Sequence, residues 1–372
     1  MPPLTSVRPH FSSWRAGAMV ALLHGYLCSA SLAESVFDTR YQYYQEDNGR
    51  IRVDSDYSLF SVDLSDSLVL DGTLLYSTIS GASPTGLPAP SRGGQVPVVE
   101  IEDERYAGTI GLTGKIGDQS LKAGFSYSNE SDYLSLGGSI TDTISLNEKN
   151  TELVLGFAYT HDIVGANGSD LRETKRSYDW MLGINQVLGP RTLLSANVTL
   201  GWKQGYLNDP YKRVLLDDAV YLEERPGSKF EQLLYLQLTQ ELIQDRLSME
   251  VSYRLGHNDH GSVSHMASLA FYQYLFDKQI VLRPSFRFYD QSAADYYKTA
   301  FTGDPTYYSS DYRVSGEQTF NLGMQVRWNI IKDRLALDLG YERYISRGTD
   351  GKTPQSAYPD AHSITAGFHL QF

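Results

Sequence analysis

Three histidines crowd into nine residues of this chain, in the stretch His257-Asn258-Asp259-His260-Gly261 and at His265. Imidazole nitrogens beside a carboxylate are donors that hold zinc or copper, so His257, Asp259, His260 and His265 form a candidate metal set. Their spacing matches no stringent ligand motif, and a tight polar turn asks for the same residue types. Two further pairs, His161 with Asp162 and His362 with Asp360, could each supply a base and the acid that orients it. Such pairs arise freely in an acid-rich chain. The expectation is therefore a protein that is not an enzyme.

A second set of charges repeats at every other position. Arg254, Arg283, Arg287 and Arg327 recur on neighbouring segments, and Asp38, Asp54, Asp71, Glu152, Asp179, Glu231, Glu250, Asp338 and Glu342 recur elsewhere. If these alternate positions face a common interior, a basic wall opposes an acidic one, and the field between them selects solutes by charge. The plainer alternative is a set of internal charges that neutralise each other.

The segments carrying these residues read as β-strands. Ile364, Ala366, Phe368, Leu370 and Phe372 alternate with polar residues to the end of the chain, and Phe320 to Ile330 and Leu194 to Trp202 alternate likewise. Period-two alternation gives each strand one apolar and one polar face. Sixteen such segments can be drawn: 37–46, 50–63, 67–80, 104–116, 119–130, 133–146, 150–163, 177–188, 191–204, 230–243, 246–257, 261–276, 279–290, 317–331, 334–346 and 361–372. The segment 50–63 slips register near Leu59 and Phe60, which suggests a bulge, and 261–276 shows no clean face.

Tight polar turns such as Gly117-Asp118 and Lys332-Asp333-Arg334 alternate with long connections at 81–103, 164–176, 205–229, 291–316 and 347–360. Short turns at one end and long loops at the other, with an even strand count, is the pattern of a transmembrane antiparallel up-and-down β-barrel in the bacterial outer membrane. A terminal aromatic at Phe372 suits the strand that closes such a barrel and presents it to the barrel-assembly machinery. The 27 tyrosines suit girdles at the lipid interface. A soluble, secreted β-sandwich binding protein is the competing reading.

Residues 1–33 read as a cleaved signal peptide, with Arg8 and Arg15, an apolar run from Ala16 to Leu23, and Ser31-Leu32-Ala33 before Glu34. Residues 34–372 would then be the barrel. The single cysteine, Cys28, falls in the export segment, which leaves no thiolate metal site, disulfide or thioether-linked haem beyond it. Removing two arginines from the 32 basic residues leaves 30 against 44 acidic ones, so nucleic acid is not an expected partner.

The strings ISGASPTG (Ile79 to Gly86), GYLNDPYK (Gly205 to Lys212), YLEERPGSK (Tyr221 to Lys229), RFYDQSAADYY (Arg287 to Tyr297) and SSDYR (Ser309 to Arg313) resemble an uncharacterised family of bacterial outer-membrane β-barrels known only as a domain of unknown function. The resemblance covers essentially the whole chain after residue 33. It implies the barrel fold, and it implies a loose association with flavin-transferase genes and extracytoplasmic electron transfer, hence with periplasmic redox partners. Ser80-Gly81-Ala82-Ser83 also resembles the acceptor at which flavin transferases attach FMN through a phosphoester, with Ser83 as the acceptor. Ser77 stands where that motif usually carries Asp, and a Gly/Ser/Pro loop leaving a strand explains the string as well. The expected function is a porin-like channel, with a structural or flavin-carrying redox component as the alternative.

Overall fold

The computed structural model describes residues 35–91 and 93–372; the expected signal segment, with Cys28, lies outside them. The described chain forms β1 (Ser35–Glu46), β2 (Arg52–Ser65), β3 (Leu68–Pro84), β4 (Val98–Ile116), β5 (Gln119–Asn129), β6 (Tyr133–Leu146), β7 (Thr151–Gly165), β8 (Arg172–Gly189), β9 (Thr192–Gly205), the short β10 (Arg213–Leu216) and β11 (Ala219–Leu222), then β12 (Ser228–Ile243), β13 (Leu247–Asn258), β14 (Val263–Leu275), β15 (Ile280–Gln291), β16 (Glu317–Ile331), β17 (Leu335–Gly348) and β18 (Ala361–Gln371). All but β10 and β11 join one closed antiparallel ring of sixteen strands. The ring excludes a two-sheet sandwich.

Closure is made by β1 against β18, in register from Val36 opposite Gln371 to Glu46 opposite Ala361. Ser35 and Phe372 exchange backbone hydrogen bonds of 2.8 and 3.0 Å at the end of this seam. No barrel strand is left with an unpaired edge, which is the condition for a sheet to cross hydrocarbon. Outside the ring, Phe125, Leu182, Leu322 and Leu339 stand exposed among many other large apolar side chains. In water a continuous exposed apolar band would be a liability, whereas in a bilayer it is the lipid-facing surface.

Cross-strand register assigns every face. Directly paired residues share a side, so the row Arg40, Gly367, Asp338, Arg327 runs along the lumen wall through β1, β18, β17 and β16. In β2 the lumen side carries Val53, Ser55, Tyr57, Leu59 and Ser61, with no bulge at Leu59 and Phe60; the shift lies between Asp63 and Ser65. The apparent slip arises because Phe60 points outward and covers Gly72, where an added Cβ would meet the phenyl ring at 2.6 Å. In β14, Ser264, Met266, Ser268 and Ala270 pair with lumen residues of β13, while His265, Ala267 and Leu269 face out. Mixed polarity on both sides of that strand hid its period.

Two expected loops are partly strand. β3 and β4 continue their pairing to Pro84 opposite Val98, and the segment 205–229 contains the β10–β11 hairpin. Gly367 tests the seam, because a Cβ there would sit 2.4 Å from the carbonyl oxygen of Thr39. Gly367→Val should cost about 1–3 kcal/mol through overpacking at closure. The unboiled protein should lose its compact, fast-migrating gel band at a lower temperature than wild type.

Candidate functional site: a charged lumen beneath a loop cap

The lumen has two unlike sides. On β4 to β7 its rows run through small residues: Gly111, Gly124, Ser139 and Ala158 form one, and Thr109, Ser126, Gly137 and Thr160 another. On β13 to β17 they carry Arg254, Glu250, Arg283, Arg287, Asn321 and Glu342, which line an internal cavity of about 460 Å³. A second cavity of about 600 Å³, lined in part by Asp38, Arg40, Arg283, Arg327 and Asp338, continues towards β1 and β2.

Many of the lumen acids are neutralised by neighbours. Arg327 donates from Nε and Nη2 to the two oxygens of Asp338 at 2.9 and 3.0 Å. Lys122 reaches Asp71 at 2.6 Å, Lys203 reaches Glu231 at 2.5 Å, and His369 Nδ1 lies 2.8 Å from Asp38. Opposed walls of uniform sign are therefore not what the register builds. Arg254, Arg283 and Arg287 differ: among the described residues none has a carboxylate within ion-pair distance. Arg283 lies with its guanidinium carbon 5.2 Å from the centre of the Tyr272 ring, and its Nε is buried without a hydrogen-bond partner.

Arg254, Arg283, Arg287, Arg327, Asp38, Asp71, Glu152, Asp179, Glu231, Glu250, Asp338 and Glu342 fall on lumen rows. Asp54 does not. It pairs across β1 with Tyr43 on the outer face, where Tyr41 donates to it and Arg52 Nε binds it at 2.7 Å. This end of β2 lies beside the loop rim, where an outward charge can meet water and headgroups instead of hydrocarbon.

The histidine set is dispersed. His257 and His265 face outward, and His265 Nδ1 lies 2.7 Å from the Tyr253 hydroxyl. His260 is buried in the turn with Nε2 2.9 Å from the Ser228 carbonyl, and Asp259 accepts from the Phe230 amide. Within the expected set Asp259 Oδ1 lies 3.7 Å from His260 Nε2, whereas Asp103, Glu130 and Asp132 each bring a carboxylate oxygen within 4.8 Å of the others. His161 faces outward while Asp162, next in the same strand, faces the lumen and binds Lys175 at 3.0 Å. His362 lies 3.9 Å from Asp47 rather than beside Asp360, which accepts from Arg347 at 2.8 Å.

The long loops, which show no periodicity in the sequence, pack over one end of the lumen. Glu223 and Asp311 are fully buried around Arg225, whose Nη2 donates to both at 2.9 Å. Ser309 donates to Glu223 at 2.6 Å, and Arg313 binds Asp311 and Asp209. Lys212 is buried, with Nζ 2.5 Å from the Pro84 carbonyl and 3.4 Å from Ser83 Oγ. Tyr211 binds Asp132 and accepts from the Asn167 amide, and Tyr358 stacks edge-on against Tyr312 over Gly348. These contacts come from points all around the rim, so the loops form a cap. Ser83 lies not in an outward loop but in the last pairs of β3, opposite Val99 and half-buried beneath that cap.

Closed pairing, an apolar exterior and a polar lumen define an outer-membrane β-barrel. The family described as "Protein of unknown function (DUF3570)" matches residues 18–172 and 167–372, and the chain belongs to it. No curated protein matches the chain. Among solved structures, CdiB from Acinetobacter baumannii is 7% identical with a TM-score of 0.52, over 91% of this chain and 60% of that one. The siderophore receptor PirA from Pseudomonas aeruginosa is 12% identical with a TM-score of 0.46, over 90% of this chain and 60% of that one. OpdK with vanillate, also from Pseudomonas aeruginosa, is 11% identical with a TM-score of 0.47, over 91% and 98%. The chain thus spans 60% of the length of PirA, and the likeness is one of fold.

On the acid side of neutrality the cap holds two buried carboxyls shifted in opposite directions. Burial acts to raise the Asp311 carboxyl and is outweighed by Arg313, Lys212 and Arg225, which hold it far below the usual range. Its stabilisation is present above the ordinary carboxylate pKa and is lost as pH falls from about 4 towards its own depressed value. Burial pushes the Glu223 carboxyl up, against Arg225, so acidification from neutrality favours the cap at that residue. Protection from hydrogen exchange across 205–229, taken relative to the intrinsic rate at each pH, should therefore hold or rise down to about pH 4 and fall below it. Arg225→Ala, which leaves two buried carboxylates without their shared cation, should cost the cap about 3–5 kcal/mol. Protease should then cut 205–229 in a barrel that still resists unfolding by heat.

Proposed function

We propose that this protein is a porin-like channel of the bacterial outer membrane, exported through a cleaved signal peptide at 1–33, with an anion-favouring lumen whose outer mouth is narrowed by the cap. The observation that carries this reading is the wall of Arg254, Arg283 and Arg287, three guanidiniums on a lumen surface without carboxylates in ion-pair contact. Ion-paired groups cancel at a distance, whereas unpaired ones set the potential that a passing solute meets, and in this cavity the three arginines outnumber Glu250 and Glu342. Arg327 contributes little to that potential because Asp338 holds it. A conduit rather than an enzyme is part of this proposal: His161 and Asp162 face opposite sides of β7, and Asp360 is held by Arg347. The barrel-assembly machinery is the partner proposed for the strand ending at Phe372.

Reconstituted in a planar bilayer across a potassium chloride gradient, the protein should show a reversal potential on the chloride side of zero selectivity. Replacing Arg254, Arg283 and Arg287 together by Ser should move it towards potassium. Gly205 and Gly227 are already joined by a 2.8 Å backbone hydrogen bond, so residues 207–225 can be removed and the gap closed by a short turn. That variant should conduct more than the intact chain. If neither form passes current, the channel reading is wrong.

A flavin-carrying role is the second reading. It rests on Ser80 to Ser83 and on the Lys212 ammonium 3.4 Å from Ser83 Oγ, where the charge of a phosphoester would fall. Modification would have to precede folding, since the cap covers this hydroxyl. Protein from a host with a flavin transferase should then carry an added FMN mass that Ser83→Ala removes; an unmodified mass alone rejects it.

A further inference from the structure

Resting on the channel reading, we infer that the arginine wall is a binding site for a small, singly charged organic carboxylate bearing hydroxyl groups. Arg254, Arg287 and Arg283 lie on three of four consecutive lumen rows of β13 and β15. Arg254 shares a row with Met266 and Tyr289, Arg287 lies one row further from the cap, and Arg283 two rows beyond that. Lumen rows repeat every second residue, so successive rows are about 7 Å apart. The guanidiniums form a ladder descending from beneath the cap. Arg283 lies over the Tyr272 ring, its guanidinium carbon 5.2 Å from the ring centre, and lines the cavity.

The enclosing cavity, about 460 Å³, falls in the range of small-molecule sites. A planar guanidinium binds a carboxylate through two parallel hydrogen bonds, which favours that group over a spherical halide. Charge balance narrows the choice. Glu250 and Glu342 share one row and line the same cavity, between the levels of Arg287 and Arg283. Three positive and two negative side chains leave room for one extra negative charge, and a doubly charged anion would meet repulsion from both acids. Glu342 is occupied by Asn321 at 3.1 Å and Tyr344 at 2.8 Å, whereas Glu250 is placed to accept from a ligand hydroxyl.

Calorimetric titration of the detergent-solubilised, full-length barrel with lactate tests the site without relying on conduction. Saturable binding is expected, with inorganic phosphate at pH 7.5 at least tenfold weaker. Arg287→Gln should weaken lactate binding at least tenfold, Arg287→Lys less so, and Glu250→Gln should narrow the gap between lactate and phosphate. Each variant is scored only after it shows the wild-type heat-resistant gel band. Absence of saturable lactate binding, or equal affinity for phosphate, overturns the inference. Saturable binding by a barrel that passes no current would keep the site and remove the channel.

Discussion

Hydrocarbon offers no hydrogen-bond partner to a peptide group, so every strand crossing it must be paired on both edges. The β1–β18 seam is where this chain meets that demand, and the other properties follow from it. Sixteen strands fix a circumference wider than side chains from the wall can fill, which obliges the interior to be wet and polar. The outer face, in turn, must be apolar across the membrane. Lumen chemistry and lipid chemistry are then two readings of the same strands, offset by one residue.

That offset made most of the ring legible from sequence. Strands such as 317–331 and 334–346 alternate cleanly because one face meets lipid and the other water. The signal weakens where either solvent changes. Near the loop rim the outer face of β2 leaves hydrocarbon, Asp54 and Asp56 become acceptable there, and Tyr57 and Leu59 turn inward. Polarity no longer marks direction at that level, which is why Asp54 was expected in the lumen. β14 obscures its period differently, by carrying Met266 and Ala270 on the wet side.

The ion pairing inside the lumen was hidden for another reason. Arg327 and Asp338 are eleven residues apart across a turn, and their contact depends on register. Register also separates His161 from Asp162 and scatters the histidines around 257–265, since neighbours in a strand point to opposite faces. A cluster in sequence is thus no cluster in a sheet unless its members are two apart or paired across strands.

The cap inverts the relation between pattern and structure. Its segments have no period, yet the strings by which the chain resembles its family meet there: Ser83 and Pro84 touch Lys212, Glu223 binds Ser309, and Arg225 bridges to Asp311. Buried ion pairs of this kind gain little over an apolar core of the same shape, because desolvation offsets their attraction. They do penalise any arrangement that leaves one partner alone. A cap of greasy residues would settle on many surfaces, including lipid; one built from mutually dependent charges fits a single seating above a lumen in which Arg254, Arg283 and Arg287 have no carboxylate in ion-pair contact. The chain therefore pairs its buried charges tightly in the cap, while part of the charge on the lumen wall has no ionic partner.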